Sequence, residues 1–282
     1  MLVRRNIPVV NLPSTRAVTI ATVTGLVNVA VVVGLYAREG YPVLESASAT
    51  AVLVATTFLV GVVAALLSAH TRLIAPVGGF LALLVGVGWL EVTTPSPEWG
   101  ELGGYVVVDG PTHVGSYANT WYLWVALLLY AGVLEFGLRR TYGLADGRLR
   151  HLPSVPLDPR DFAVLTAGSA VAVGLATAAL VIRSGIRPTL AAAVVFGFAA
   201  AVAAIPLVGL FARGLVAPVV LFVALVPYAL VVEAFVTTDS PVHILLFGPF
   251  AIVLALAGAL EAAGRARFGG GNRGRVAGDG SS

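Results

Sequence analysis

Cysteine and lysine are both missing from the 282 residues, and charged residues make up only 11 % of them. The first absence excludes disulfides, thiolate metal sites and a cysteine nucleophile. The second removes any Schiff-base lysine and with it a retinal chromophore. All 17 basic residues are arginine, a usage that points to a GC-rich prokaryotic gene. Motifs of hydrolytic chemistry are lacking too: no Gly-x-Ser-x-Gly, His-Glu-x-x-His, paired membrane aspartates or Walker sequence occurs. The chain therefore reads as a non-enzyme, with no cofactor and no metal assigned. Soluble domains carry about 25 % charge. With 58 % hydrophobic residues and a mean hydropathy of +0.95, this chain has too little polar surface to face water on all sides. Its net charge of +3 is no nucleic-acid signal, because the arginines are spread through connecting segments.

What is present is a series of long apolar runs. Crossing a ~30 Å hydrocarbon core takes about 20 helical residues, and eight runs reach that scale. They are predicted near 17–37, 47–68, 73–91, 117–138, 162–182, 189–211, 215–236 and 243–263. The runs are continuous, whereas barrel strands would be ~10-residue alternating segments. The fold class is all-α, a polytopic integral membrane protein. The first run is longer than the 7–15-residue apolar core of a signal peptide and is read as an uncleaved span, with Ser14 as its N-cap.

Leu73–Glu91 recurs as Leu215–Glu233, an offset of 215 − 73 = 142 without a gap. Eight of the nineteen positions are identical, including Pro76/Pro218, Phe80/Phe222 and Glu91/Glu233. Both copies run into Thr-Thr-x-Ser-Pro, at Thr93–Pro97 and Thr237–Pro241. Further on, Ala131–Arg139 matches Ala257–Arg265 at an offset of 257 − 131 = 126. These echoes predict an internal duplication of four helices plus four. Its parts are a cytoplasmic segment 1–16, a first repeat 17–138 with an outer loop 93–116, a cytoplasmic linker 139–161, a second repeat 162–264 and a disordered tail 265–282. An even number of crossings per repeat makes the halves parallel, related by an axis along the membrane normal.

Arginine placement gives an orientation. With the N-terminus inside, the inner segments hold Arg4, Arg5, Arg16, Arg72, Arg139, Arg140, Arg148, Arg150, Arg160, Arg213 and the four arginines after Gly264. The outer ones hold Arg38, Arg183 and Arg187, a split of 14 to 3. This positive-inside bias places both termini in the cytoplasm of a cell-membrane protein.

The polar groups in the spans are the candidate sites. Glu91 and Glu233 fall near the outer ends of their helices, close to water and without a basic partner four residues on. They are candidate pathway or ion-linked residues, since ionisable groups in spans mark such sites. Glu135–Arg139 and Glu261–Arg265 are spaced i,i+4 at the inner boundary and read as structural ion pairs. Prolines 206, 227 and 249 fall inside the sixth, seventh and eighth runs, where they would kink the helices. Tyr117, Trp121, Tyr122 and Trp124 form a cluster suited to the membrane interface. His113 lies near Glu98 and Asp109 in the outer loop and reads as a solvated histidine.

The eight-helix, four-plus-four plan resembles haem A synthase in helix count and duplication. That resemblance implies haem-ligating histidines on paired membrane helices. Here His70, His113, His151 and His243 all fall at helix ends or in loops, and none repeats between the halves. The haem function is therefore not carried over. The functional reading is a transporter-like or permeation protein with a pathway between the repeats, lined by Glu91 and Glu233. The alternatives are a non-catalytic membrane subunit or scaffold of a larger complex, and a membrane enzyme acting on lipid or porphyrin. The partners implied are the lipid bilayer, with a homo-oligomer or complex subunits compatible, and no nucleic acid.

Overall fold

Eight helices of the computed structural model are long and apolar enough to cross a membrane. The structure describes residues 12–183, 189–235, 244 and 246–269. Arg4, Arg5, Arg187, the Thr237–Pro241 echo, His243 and the tail beyond 269 lie outside the described residues. In chain order the elements are α1 (Thr15–Arg38), α2 (Ala47–Thr71), α3 (Ala75–Thr93), β1 (Glu98–Leu102), β2 (Tyr105–Asp109), α4 (His113–Asn119), α5 (Trp121–Tyr142), α6 (Pro159–Arg183), α7 (Thr189–Arg213), α8 (Ala217–Phe235) and α9 (Phe247–Gly269). All except β1, β2 and α4 are the apolar spans. In hydrocarbon no water is at hand for backbone groups, so each run adopts the form that bonds them internally.

The starts and stops follow from local chemistry. Ser14 Oγ accepts from Ala17 N–H at 3.2 Å and opens α1. Ser46 does the same for α2, at 3.4 Å from Ala49 N. Proline stands second in α3 and α8, at Pro76 and Pro218, where its missing N–H costs little. Asp158 Oδ1 takes Asp161 N–H at 2.8 Å, and Pro159 follows it as the first residue of α6. β1 and β2 pair as an antiparallel hairpin with Trp99 opposite Val108. Its turn is Gly103–Gly104, with φ of +60° and +81°. Positive φ at both positions suits a two-residue hairpin turn and requires glycine or a near substitute.

Several expectations need correcting. The fourth span is not one helix from 117. The chain is already helical at His113, breaks at Thr120, and resumes as α5 from Trp121 to Tyr142. The aromatic residues of this region are not all an interface belt, because Tyr117 and Trp124 are buried and joined by the Trp124 Nε1–H bond to the Tyr117 carbonyl at 3.0 Å. The linker is shorter than 139–161, since α5 runs to Tyr142 and α6 starts at Pro159. Residues 265–269 belong to α9 rather than to a disordered tail. Pro249 sits in the first turn of α9 and not mid-helix, whereas Pro206 and Pro227 are interior to α7 and α8.

The chain divides into two compact units, Met1–Gly132 with Ala145–Pro153, and Val133–Leu144 with Ser154–Ser282. In the first, α1 packs chiefly on α2. The two meet at glycines: a Cβ on Gly61 would lie 2.9 Å from both Gly25 Cα and the Thr24 carbonyl oxygen, and one on Gly25 would lie 2.7 Å from the Phe58 ring. Small residues let membrane helices approach this closely. In the second unit, α6 packs on α7, and α9 on α7 and α8. Gly174 provides the close approach there: a Cβ on it would lie 2.9 Å from the Phe196 ring.

Certain features occur in both units at matching places. α3 and α8 start 142 residues apart (217 − 75). A Cβ on Gly132 would stand 3.1 Å from Pro76 and 3.6 Å from Leu73; one on Gly258 would stand 3.1 Å from Pro218 and 3.7 Å from Leu215. The turn before α3 places Arg72 at φ 63°, and the turn before α8 places Gly214 at φ 63°.

The close α1–α2 crossing yields a test. Gly61→Val should lower stability by about 1–3 kcal/mol through overpacking against backbone. Gly86→Ala, where a Cβ meets nothing within 4 Å, should be neutral or mildly stabilising. Thermal unfolding of the purified protein in detergent measures both, and equal effects would refute the glycine crossing.

Candidate functional site

Glu91 stands two residues before the end of α3, and the sequence alone leaves it near water. The structure buries it instead, at 4 % exposure. Its Oε1 accepts from the Tyr41 hydroxyl at 2.7 Å, and its Oε2 accepts from Val114 N–H at 2.8 Å. Val114 is the second residue of α4, whose preceding Thr112 makes no side-chain cap bond. The first N–H groups of a helix have no partner within the helix, and a carboxylate is the strongest acceptor for them. Glu91 thus caps a helix that cannot cap itself.

Around it lies an aromatic cover. The Tyr36 and Tyr41 rings are 4.2 Å apart, and Tyr41 meets the Trp99 ring of the hairpin edge-on at 4.9 Å. Trp99 Nε1–H donates to the Glu39 carbonyl at 3.1 Å, which pins the hairpin to the end of α1. The Glu39 carboxylate is buried as well and pairs with Arg38 Nε at 3.1 Å. Burial first, and the bond to Glu91 second, push the Tyr41 hydroxyl well above its ordinary range. Tyr41 is therefore a neutral donor at any physiological pH.

A second polar cluster, missed by sequence reasoning, lies deeper. Asn28 of α1 is fully buried, at 0 % exposure. Its Nδ2 donates to the Thr57 carbonyl of α2 at 2.7 Å. The Tyr117 hydroxyl lies 3.0 Å from that Nδ2 and 3.2 Å from Oδ1. The glycine crossing explains the first bond. Gly25 precedes Asn28 by three residues and Gly61 follows Thr57 by four, so the backbones are near enough for a short amide to reach across. The signal was available: Asn28 is the one amide in the span, and a polar group in hydrocarbon needs a partner.

At the other helix ends, the ion pairs take definite form. Arg139 Nη1 lies 2.9 Å from Glu135 Oε1, and Arg265 Nη2 lies 2.5 Å from Glu261 Oε1. Glu261 does more than pair. Its Oε2 accepts from Val216 N–H at 2.9 Å and Ala217 N–H at 2.8 Å, which are the opening amides of α8. Arg265 also donates to the Tyr142 hydroxyl at 3.2 Å, and that hydroxyl donates to the Gly214 carbonyl. The sequence shows the i,i+4 spacing but cannot show the capping. Glu233 of α8 is buried, at 5 % exposure.

His70 and His151 stack at 4.3 Å with rings nearly parallel. Among the described residues no group of three or more His, Asp or Glu side chains is placed to hold a metal. The arrangement can therefore hold helices together and fix the breaks between them. The class that the fold defines is a multi-pass membrane protein in a lipid bilayer. No protein-family model matches the chain, and comparison with curated proteins and with solved structures finds no match either.

The capping role of Glu91 predicts that Glu91→Ala loses about 1–3 kcal/mol for each stranded donor. A double-mutant cycle with Tyr41→Phe should return a coupling of about 0.5–3 kcal/mol. Additive losses would show that the two side chains act independently. The Tyr41 bond also sets an alkaline limit. Because the folded hydroxyl is held above the unfolded value of about 10, its contribution is complete below that pH and is lost as pH rises beyond it. Stability measured against pH should fall above about pH 10 less steeply in Tyr41→Phe than in the parent.

Proposed function

We propose that the chain is two parallel four-helix repeats with both termini cytoplasmic, and that it serves as a non-catalytic membrane subunit or scaffold. The duplication is supported by the 142-residue echo of Leu73–Glu91, the matching starts of α3 and α8, and the matched glycine–proline contacts at Gly132 and Gly258. The orientation is supported by the 14-to-3 arginine split.

The observation that carries the functional reading is how Glu91 and Asn28 are used. A pathway residue presents its ligand with an oxygen that bonds no protein donor. Both oxygens of Glu91 are instead committed to Tyr41 and Val114, and Asn28 is committed to Thr57 and Tyr117. These groups serve cohesion. Purification in a mild detergent should recover the full chain with a stoichiometric membrane partner or in a homo-oligomer of fixed size. A monodisperse monomer without partners counts against the reading.

One observation favours the permeation reading. Pro206 and Pro227 interrupt α7 and α8 from inside, and interior prolines leave backbone carbonyls that can line a pathway. Liposome flux separates the two. The subunit reading expects flux of ions and small solutes no greater than in protein-free liposomes. Flux that is present and abolished by Glu91→Gln with Glu233→Gln would establish permeation instead.

A further inference from the structure

The first unit has a cavity of about 280 Å³ where the start of α1, the end of α2 and the Ala145–Pro153 segment come together. Among the described residues, Arg16, Arg72 and Arg150 line it, one from each segment, together with Ser14 and Ser68 and without a carboxylate. We propose that this cavity is a binding site for a phosphoryl group, supplied by an anionic lipid headgroup or by a soluble phosphate.

Three features converge on that chemistry. Guanidinium groups present planar forks of donors suited to phosphate oxygens. The chain also holds two of them there at a cost or by a specific bond. Arg72 occupies φ 63°, a left-handed conformation that disfavours any residue with a Cβ, whereas the matching turn of the second unit uses Gly214 at the same angle. A strained residue where glycine would be relaxed is retained for its side chain. Arg150 is held by its own N–H, which donates to the Thr71 carbonyl at 3.1 Å, beside the His70–His151 stack. Finally, the site is at the mouth of two membrane helices, α1 at its first turn and α2 at its last. Basic pockets between helix ends at this level accept lipid headgroups, and the amide end of α1 adds to the positive field.

The experiment uses the full chain purified in a neutral detergent. Its thermal unfolding is followed with added phosphatidylglycerol, with phosphatidylcholine, and with inorganic phosphate. Phosphatidylglycerol should raise the unfolding temperature and phosphatidylcholine should not. Arg72→Gly removes the guanidinium and relieves the strained turn, so the variant should unfold no earlier than the parent without lipid, yet bind phosphatidylglycerol at least tenfold more weakly. Arg150→Gln should weaken binding similarly. A response to phosphatidylglycerol alone assigns the phosphoryl group to lipid, and an additional response to inorganic phosphate assigns a soluble source. No response to either, or a response that both variants keep undiminished, overturns the site.

Discussion

A helix that starts inside a membrane exposes backbone N–H groups that no water can take, and this structure depends on supplying their acceptors from elsewhere. α3, α4 and α8 each receive an acceptor for an early N–H from a side chain of another helix. α3 begins after Ile74, and Ser68 of α2 accepts from its Val77 N–H at 3.1 Å. α4 is served by Glu91 of α3, and α8 by Glu261 of α9. Each acceptor comes from a different helix, so capping and packing are one act: the cap exists only if the neighbouring helix is in place. A buried unsatisfied donor costs about 1–3 kcal/mol, comparable with a good core side chain. In lipid, where apolar burial between helices gains little, such bonds weigh more.

The same logic accounts for the glutamates. An ionisable residue in a span invites a functional reading, because an uncompensated charge there is expensive. Compensation can be structural, however. Glu91 gains a tyrosine hydroxyl and a backbone amide, and Glu261 gains two amides and an arginine. Both bond each of their oxygens to donors inside one unit and fix a break between helices. Asn28 does the equivalent in mid-span, where the glycine crossing brings a carbonyl within its reach.

The two units answer one structural problem with different residues at the turn before α3 and α8. Gly214 takes the left-handed position without strain, and Arg72 takes it with strain. The difference sets Arg72, which lines the arginine cavity of the first unit, against a glycine in the second. At the 142-residue offset, the positions of the second unit corresponding to Asn28 and Thr57 (28 + 142 and 57 + 142) are Ala170 and Ala199.

Much of the fold was legible before any coordinates, for a simple reason. Hydrocarbon demands helices about 20 residues long, so length and apolarity determined the number of spans. Charge spacing determined the Glu135–Arg139 and Glu261–Arg265 pairs, because i,i+4 contact is local. The break at Thr120 was not legible, since an apolar run gives no sign of where a helix pauses. The α6 start was legible in principle, in the Asp158–Pro159–Arg160–Asp161 string. What only the tertiary structure decided was every partner separated in sequence: Tyr41 and Val114 for Glu91, Thr57 and Tyr117 for Asn28, the amides of α8 for Glu261, and the meeting of Arg16, Arg72 and Arg150. Local sequence sets what a residue can bond, and in a membrane the nearest available partner is on whichever helix the packing brings beside it.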